Sequence, residues 1–156
     1  MSGLSWLTIL RKRENFRAAF RQFAPEAMAR FGSRDVARLM GDAGIVRNRA
    51  KIEATINNAR RYAEMKKEFG SMARYVWGYE PPPRKRLLDR AGLTAVGVPA
   101  EAVAMSKDLR RRGWGFVGPT KVQSFMQAMG LVNDHIRGCA AGAEVERLRR
   151  EFVRPS

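Results

Sequence analysis

Residues 106–130 read SKDLRRRGWGFVGPTKVQSFMQAMG, and the reading of this stretch decides the fold. A helical run ending in three arginines meets a loop with three glycines, and Pro119 opens a second helix. Cations suit the C-terminal end of a helix macrodipole. Proline suits the first helical turn, where a missing N–H costs nothing. The pattern predicts a helical hairpin over about 106–129. Gly113, Gly115 and Gly118 allow positive φ and a close approach of backbone to a ligand. The first amides of the second helix lack acceptors and sit at the positive end of its dipole, so they attract phosphate. Lys121 opposes that dipole and favours an anion. Gly113, Gly115, Val117, Gly118, Thr120 and Lys121 therefore form a candidate phosphate clamp, which positions a backbone without reading its sequence. An ordinary glycine-rich turn between packed helices has the same pattern.

Outward from the hairpin, the chain keeps a helical period. Apolar residues recur at three- and four-residue steps in Leu4, Leu7, Leu10 and in Phe16, Phe20, Phe23, on either side of a basic RKRE stretch. Pro25 opens a short helix after Ala24. Ser33 suits an N-cap, and glycines at 41 and 44 stop the helix that follows. A long helix is predicted from about Asn48 to Phe69 with Ile52, Ile56, Ala59 and Met65 inward, and Gly70 ends it. Tyr75–Tyr79 reads as a helical turn or an extended lead into Pro81–Pro83, an exposed, stiff connector. Another helix spans Ala100 to Arg112, and the one after Pro119 runs through Ala128 with Met126 and Met129 in the core. The tail over about 140–156 is glycine-broken and weakly amphipathic, a loosely docked or frayed helix. The fold class is all-α, a single domain over 1–156.

Thirty Lys and Arg against fifteen Asp and Glu give a net charge of +15 over 156 residues. That excess suits a polyanion, whose phosphates supply sequence-independent affinity. No apolar run approaches the roughly 20 residues of a membrane span, so no membrane partner is expected. The single cysteine excludes a disulfide framework and suits a reducing compartment, so the chain reads as soluble and cytoplasmic.

His135 and Cys139 are the only residues of their kinds. Their spacing would place both on one face of a helical turn, as half of a tetrahedral zinc site. A satisfied histidine near a small thiol fits as well.

Three blocks carry a resemblance: GLSWLTILRKRENFRAAF (3–20), DAGIVRNRAKIEATINNAR (42–60) and SKDLRRRGWGFVGPTKVQSFMQAMGLVNDHIRGC (106–139). Together, and in this order, they resemble the DNA-3-methyladenine glycosylase I family, the bacterial Tag-type repair enzymes. FVGPT followed by SFMQAMGLVNDH is the most specific part. The resemblance implies the helix-hairpin-helix DNA glycosylase fold, with 113–118 as the hairpin, and hydrolysis of the N-glycosidic bond of 3-methyladenine in alkylated DNA. It implies a monomer whose partner is double-stranded DNA containing alkylated bases.

The resemblance also places residues. Trp6 matches the aromatic on which the extruded base stacks, and Gly3 and Leu4 fall in the loop beside that base, with Leu4 a candidate wedge. His135 and Cys139 match two of the family's four zinc ligands. The other two ligands belong to an N-terminal segment that the 156 residues do not include, as do the glutamate and tyrosine that recognise the base. The fold is thus expected as an N-terminally truncated version, with no catalytic residue identified and zinc binding weak. Asp134 is expected to be structural or to support His135. An active glycosylase and a weakly active DNA-binding remnant both fit this reading.

Overall fold

The computed structural model describes residues 5–84 and 87–155, and every regular element among them is helical. Gly3 and Leu4 lie outside the described residues. The helices are α1 (Trp6–Arg11), α2 (Arg13–Ala19), α3 (Pro25–Met28), α4 (Ser33–Gly41), α5 (Arg49–Phe69), α6 (Met72–Trp77), α7 (Arg90–Val96), α8 (Ala100–Arg111), α9 (Pro119–Ala128) and α10 (Ala140–Glu151). The described residues of Met1–Glu68 with Arg110–Phe116 form one compact unit, and those of Phe69–Leu109 with Val117–Ser156 form a second.

In the first unit, Phe20, Phe31, Leu39, Ile45, Ile52 and Ile56 form the centre of an apolar core. Such burial stabilises by about 25 cal/mol per Å² of apolar surface removed from water and is the main favourable contribution to the core. The predicted inward set of α5 is buried as expected: Ile52, Ile56, Ala59 and Met65. Gly70 stops the helix at φ 76, a backbone that glycine adopts without steric cost. Pro25 opens α3 after Ala24, as read. The cap of α4 moves by one residue, since Gly32 is the N-cap and its N–H donates to Asp35 Oδ2 at 3.1 Å.

Two apolar stripes behave differently from their reading. Leu7 and Leu10 of α1 are exposed. Phe20 is buried but Phe23 is not, because Arg21, Gln22 and Phe23 take φ of 53, 55 and 56 in a left-handed turn. That turn redirects the three-residue period, and Phe23 stacks on Phe20 at 5.7 Å from outside the core.

The second unit buries Tyr75, Val76, Ala102, Met105, Val122, Met126 and Leu131. The 75–79 stretch is helical as far as Trp77, the end of α6, and turns over 78–79; α6 is capped by Ser71, whose side chain accepts from the Arg74 N–H. The Tyr75 hydroxyl donates to Asp108 Oδ2 at 2.9 Å, and burial with that carboxylate pushes the phenol well above its ordinary pKa. Met126 is fully buried as read, whereas Met129, just past the end of α9, is exposed. The tail expected to be loose is α10. Arg149 ties it down: Nη2 donates to the Leu131 carbonyl at 2.9 Å and pairs with Glu80 at 3.1 Å. Beyond α10, Phe152 stacks on Trp77 at 4.7 Å.

Candidate nucleic-acid interface

In the hairpin, α8 ends at Arg111, one residue short of the expected Arg112, and α9 runs from Pro119 to Ala128 as read. Its loop does not share out the glycines as expected. Gly113 takes φ 79, but Gly118 has φ −63 and ψ 157, a conformation open to any residue. The other positive φ belongs to Phe116, at 58. A non-glycine residue in this region carries about 1–3 kcal/mol of strain and persists only where its surroundings hold it. Both covalent neighbours of Phe116 are fastened. Gly115 is bonded to Asn58, and the Val117 carbonyl accepts from the buried Ser106 hydroxyl at 2.7 Å.

The bonds to Gly115 come from α5, which the sequence reading had not connected to the hairpin. Asn58 Nδ2 donates to the Gly115 carbonyl at 3.0 Å, and the Gly115 N–H donates to Asn58 Oδ1 at 2.8 Å. Asn57 Nδ2 donates to the Gly113 carbonyl at 2.7 Å. A Cβ on Gly115 would lie 3.0 Å from Ala54 Cβ, and one on Gly113 would lie 3.1 Å from Arg61 Nε. Residues 54, 57, 58 and 61 follow the i, i+3, i+4, i+7 spacing of one helix face. It lies opposite the stripe of Ile52, Ile56 and Ala59. Two turns further along α5, Glu68 pairs with Arg112 through two bonds of 2.6 and 2.9 Å. Arg112 is thus a fastener within its own unit, while Arg110 and Arg111 stay exposed. The available signal was the Asn57–Asn58 pair inside a long helix, where asparagine is a poor helix former and needs another use.

At the start of α9, the amides of Lys121 and Val122 both donate to the Gly118 carbonyl, at 2.9 and 3.0 Å. Thr120 stands exposed between Pro119 and Lys121 in a first turn free of acidic residues. Trp6, the first residue of α1, is 62% exposed, so it is no core aromatic.

His135 and Cys139 are not on a helical turn, because 133–139 is an irregular link between α9 and α10. His135 Nδ1 lies 3.0 Å from Asn133 Oδ1, an arrangement that orients the ring. Gly142 of α10 presses against it, since a Cβ there would lie 3.0 Å from His135 Cβ. Cys139 is the N-cap residue of α10 and a free thiol. Among the described residues, no group of three or more His, Cys, Asp and Glu stands ready for a metal. The donors present do not make a closed four-ligand zinc site. Asp134 is bonded through both oxygens: its Oδ1 accepts from Arg84 at 2.6 Å and its Oδ2 from Gln127 at 2.7 Å.

Known proteins bear on this geometry. The family model for methyladenine glycosylase matches residues 1–142. The chain is 45% identical over 139 residues to DNA-3-methyladenine glycosylase 1 of Escherichia coli (strain K12), an overlap of 88% of this chain and 74% of that relative. A crystal structure of 3-methyladenine DNA glycosylase I (TAG) superposes with a TM-score of 0.81 at 43% identity, covering 89% of this chain and 76% of that one. The Staphylococcus aureus structure concerned with 3-methyladenine recognition superposes with a TM-score of 0.82 at 37% identity, covering 90% and 75%.

Proposed function

The chain belongs to the methyladenine glycosylase family, and from that membership we propose how its residues serve the family's reaction. It is a DNA-repair glycosylase that releases 3-methyladenine from alkylated DNA. The observation that carries this reading is the family match across most of the chain, which includes the hairpin and its anion-ready helix start. The hairpin residues Gly113, Gly115, Val117, Gly118, Thr120 and Lys121 hold the DNA backbone. Their contacts are to phosphate, so binding is insensitive to sequence and weakens steeply with salt.

A base inside a duplex is out of reach, so the nucleotide is extruded and its base stacked on an aromatic. Trp6 takes that part. In 3-methyladenine the ring already carries positive charge. Breaking the C1′–N9 bond returns the bonding pair to the base, which leaves neutral. Water adds at C1′ and gives its proton to solvent, and the strand stays whole. Such a leaving group asks for stacking and water access more than for a strong acid. Asp134, held between Arg84 and Gln127, serves a structural role in this reading.

The test is release of free 3-methyladenine from methylated duplex DNA, with duplex affinity followed across a salt series. Trp6→Ala should lower kcat/KM for release about 10- to 100-fold, the worth of one base–aromatic stack. Unchanged release by Trp6→Ala would remove the stacking role, and no release by the parent chain would remove the reading itself.

On zinc, the two donors His135 and Cys139 imply weak retention, because four ligands hold a structural ion. Metal analysis after dialysis against a mild chelator should give well under one zinc per chain, with Cys139→Ser leaving thermal stability unchanged. One full equivalent that disappears in Cys139→Ser would overturn this.

A further inference from the structure

The face of α5 opposite its core stripe is made of polar and small residues, which normally face water. Here it seats a loop. The contact is not between side chains alone: Asn58 pairs its carboxamide with both backbone polar groups of Gly115, one bond of 3.0 Å given and one of 2.8 Å received. Only one orientation of the amide satisfies both bonds, so the network itself fixes which atom is oxygen and which nitrogen. The pairing copies what a neighbouring strand would offer, and it locks φ and ψ on both sides of Gly115. The next residue is the strained Phe116, at φ 58. Gly115 has no room to slide, because Ala54 Cβ lies 3.0 Å from where its own Cβ would be. Asn57 adds one bond, at 2.7 Å to the Gly113 carbonyl.

We propose that Asn58 is a positioning residue for DNA binding: from α5 it clasps the Gly115 backbone and sets the loop conformation in which the hairpin meets phosphate. This rests on the reading of the hairpin as the DNA-backbone contact. Asn58 touches neither DNA nor base. It acts through Gly115, so its removal raises the cost of presenting the loop and leaves the chemical step alone.

The test uses the full chain and a methylated duplex, with KM and kcat for base release measured separately and thermal stability followed alongside. Asn58→Asp keeps the acceptor for the Gly115 N–H and loses the donor. Asn58→Leu keeps the bulk and loses both. A neutral hydrogen bond contributes on the order of 1 kcal/mol, so KM should rise about fivefold to tenfold for Asp and several times further for Leu. The kcat at saturating DNA should stay within about twofold of the parent by the same argument. Asn57→Ala, missing one bond only, should fall between the parent and Asn58→Leu. If Asn58→Leu fails to fold, the Asp and Asn57 variants carry the comparison. A parent that does not bind duplex DNA would take down the hairpin reading and this inference with it. A parent that binds, with Asn58→Asp and Asn57→Ala binding equally well, would overturn the inference alone. So would a loss confined to kcat.

Discussion

Gly115→Val should cut affinity for duplex DNA about 100-fold, the largest loss expected from any single change in the first unit. The loop faces two alternatives. A Cβ at 115 would stand 3.0 Å from Ala54 Cβ, and neither atom is the free end of a flexible chain. Staying in place means overpacking, which costs about 1–3 kcal/mol. Moving off α5 escapes the clash but breaks both bonds to Asn58, at about 1 kcal/mol each. Either way the binding conformation is disfavoured by roughly 2–3 kcal/mol, the equivalent of about two decades in affinity. The core of Phe20, Leu39 and Ile56 lies elsewhere in the unit, so helical content should be unchanged. Gly113→Ala makes a useful contrast. Its positive φ of 79 is strained for alanine, but the atom it meets is on the arginine side chain of Arg61, which can move. Its loss should be nearer tenfold, on the order of the 1 kcal/mol or so that positive φ costs. Equal, small losses from both variants would show that the seat on α5 is not what shapes the loop.

The parts that were legible in the sequence are those with local causes. Pro25 and Pro119 mark their helix starts through a missing N–H, and Gly70 marks an end through its φ. The inward residues of α5 follow from period alone. The hairpin boundaries came from arginines, glycines and a proline in order. The parts that were missed have non-local causes. The second face of α5 reads as solvent, because alanine, asparagine and arginine suit water as well as they suit a docked backbone. Sequence periodicity has no term for a partner that offers N–H and C=O in place of a side chain. Phe23 left the core because a left-handed turn of three ordinary residues has no glycine to announce it. His135 and Cys139 have helical spacing without a helix, since Gly138 and the capping of α10 at Cys139 impose their own geometry. α7 was passed over for a similar reason: Pro81–Pro83 dominate the reading, while its cap, Asp89 accepting from the Gly92 N–H, is one quiet residue.

The tail was read as a loosely docked or frayed helix, its anchor lies far away in sequence, and that anchor yields the largest stability effect expected in the second unit. Arg149→Ala should destabilise the protein by about 3 kcal/mol, the usual cost of removing one member of a buried ion pair. Thermal unfolding should fall by on the order of 10 °C. The Arg149 side chain is 11% exposed and Glu80 is 19% exposed, so this is no surface pair. Its loss also leaves the Leu131 carbonyl without a donor it holds at 2.9 Å, and Glu146 loses a partner. Glu80 keeps Arg154, which grips both of its oxygens at 2.7 and 3.0 Å, and this bounds the cost. The hydrogen bond from Arg154, and then that from Arg149, hold the Glu80 carboxyl below its ordinary pKa against the opposing effect of burial. A carboxyl depressed in the folded state stabilises above its unfolded pKa, near 4.3, and that contribution is lost as pH falls through the folded value. Acid unfolding of Arg149→Ala should therefore begin at higher pH than in the parent, and Glu80→Gln should remove this part of the acid limb. The loosening has a functional reach. Asn133, which orients His135, donates to the Gly142 carbonyl at 2.9 Å and to Glu146 at 3.3 Å, both on α10. Freeing α10 removes the support of the 133–135 link, so hydrogen exchange there should quicken with the loss of stability. Parent-like unfolding and exchange in Arg149→Ala would mean that α10 is held by its apolar face alone.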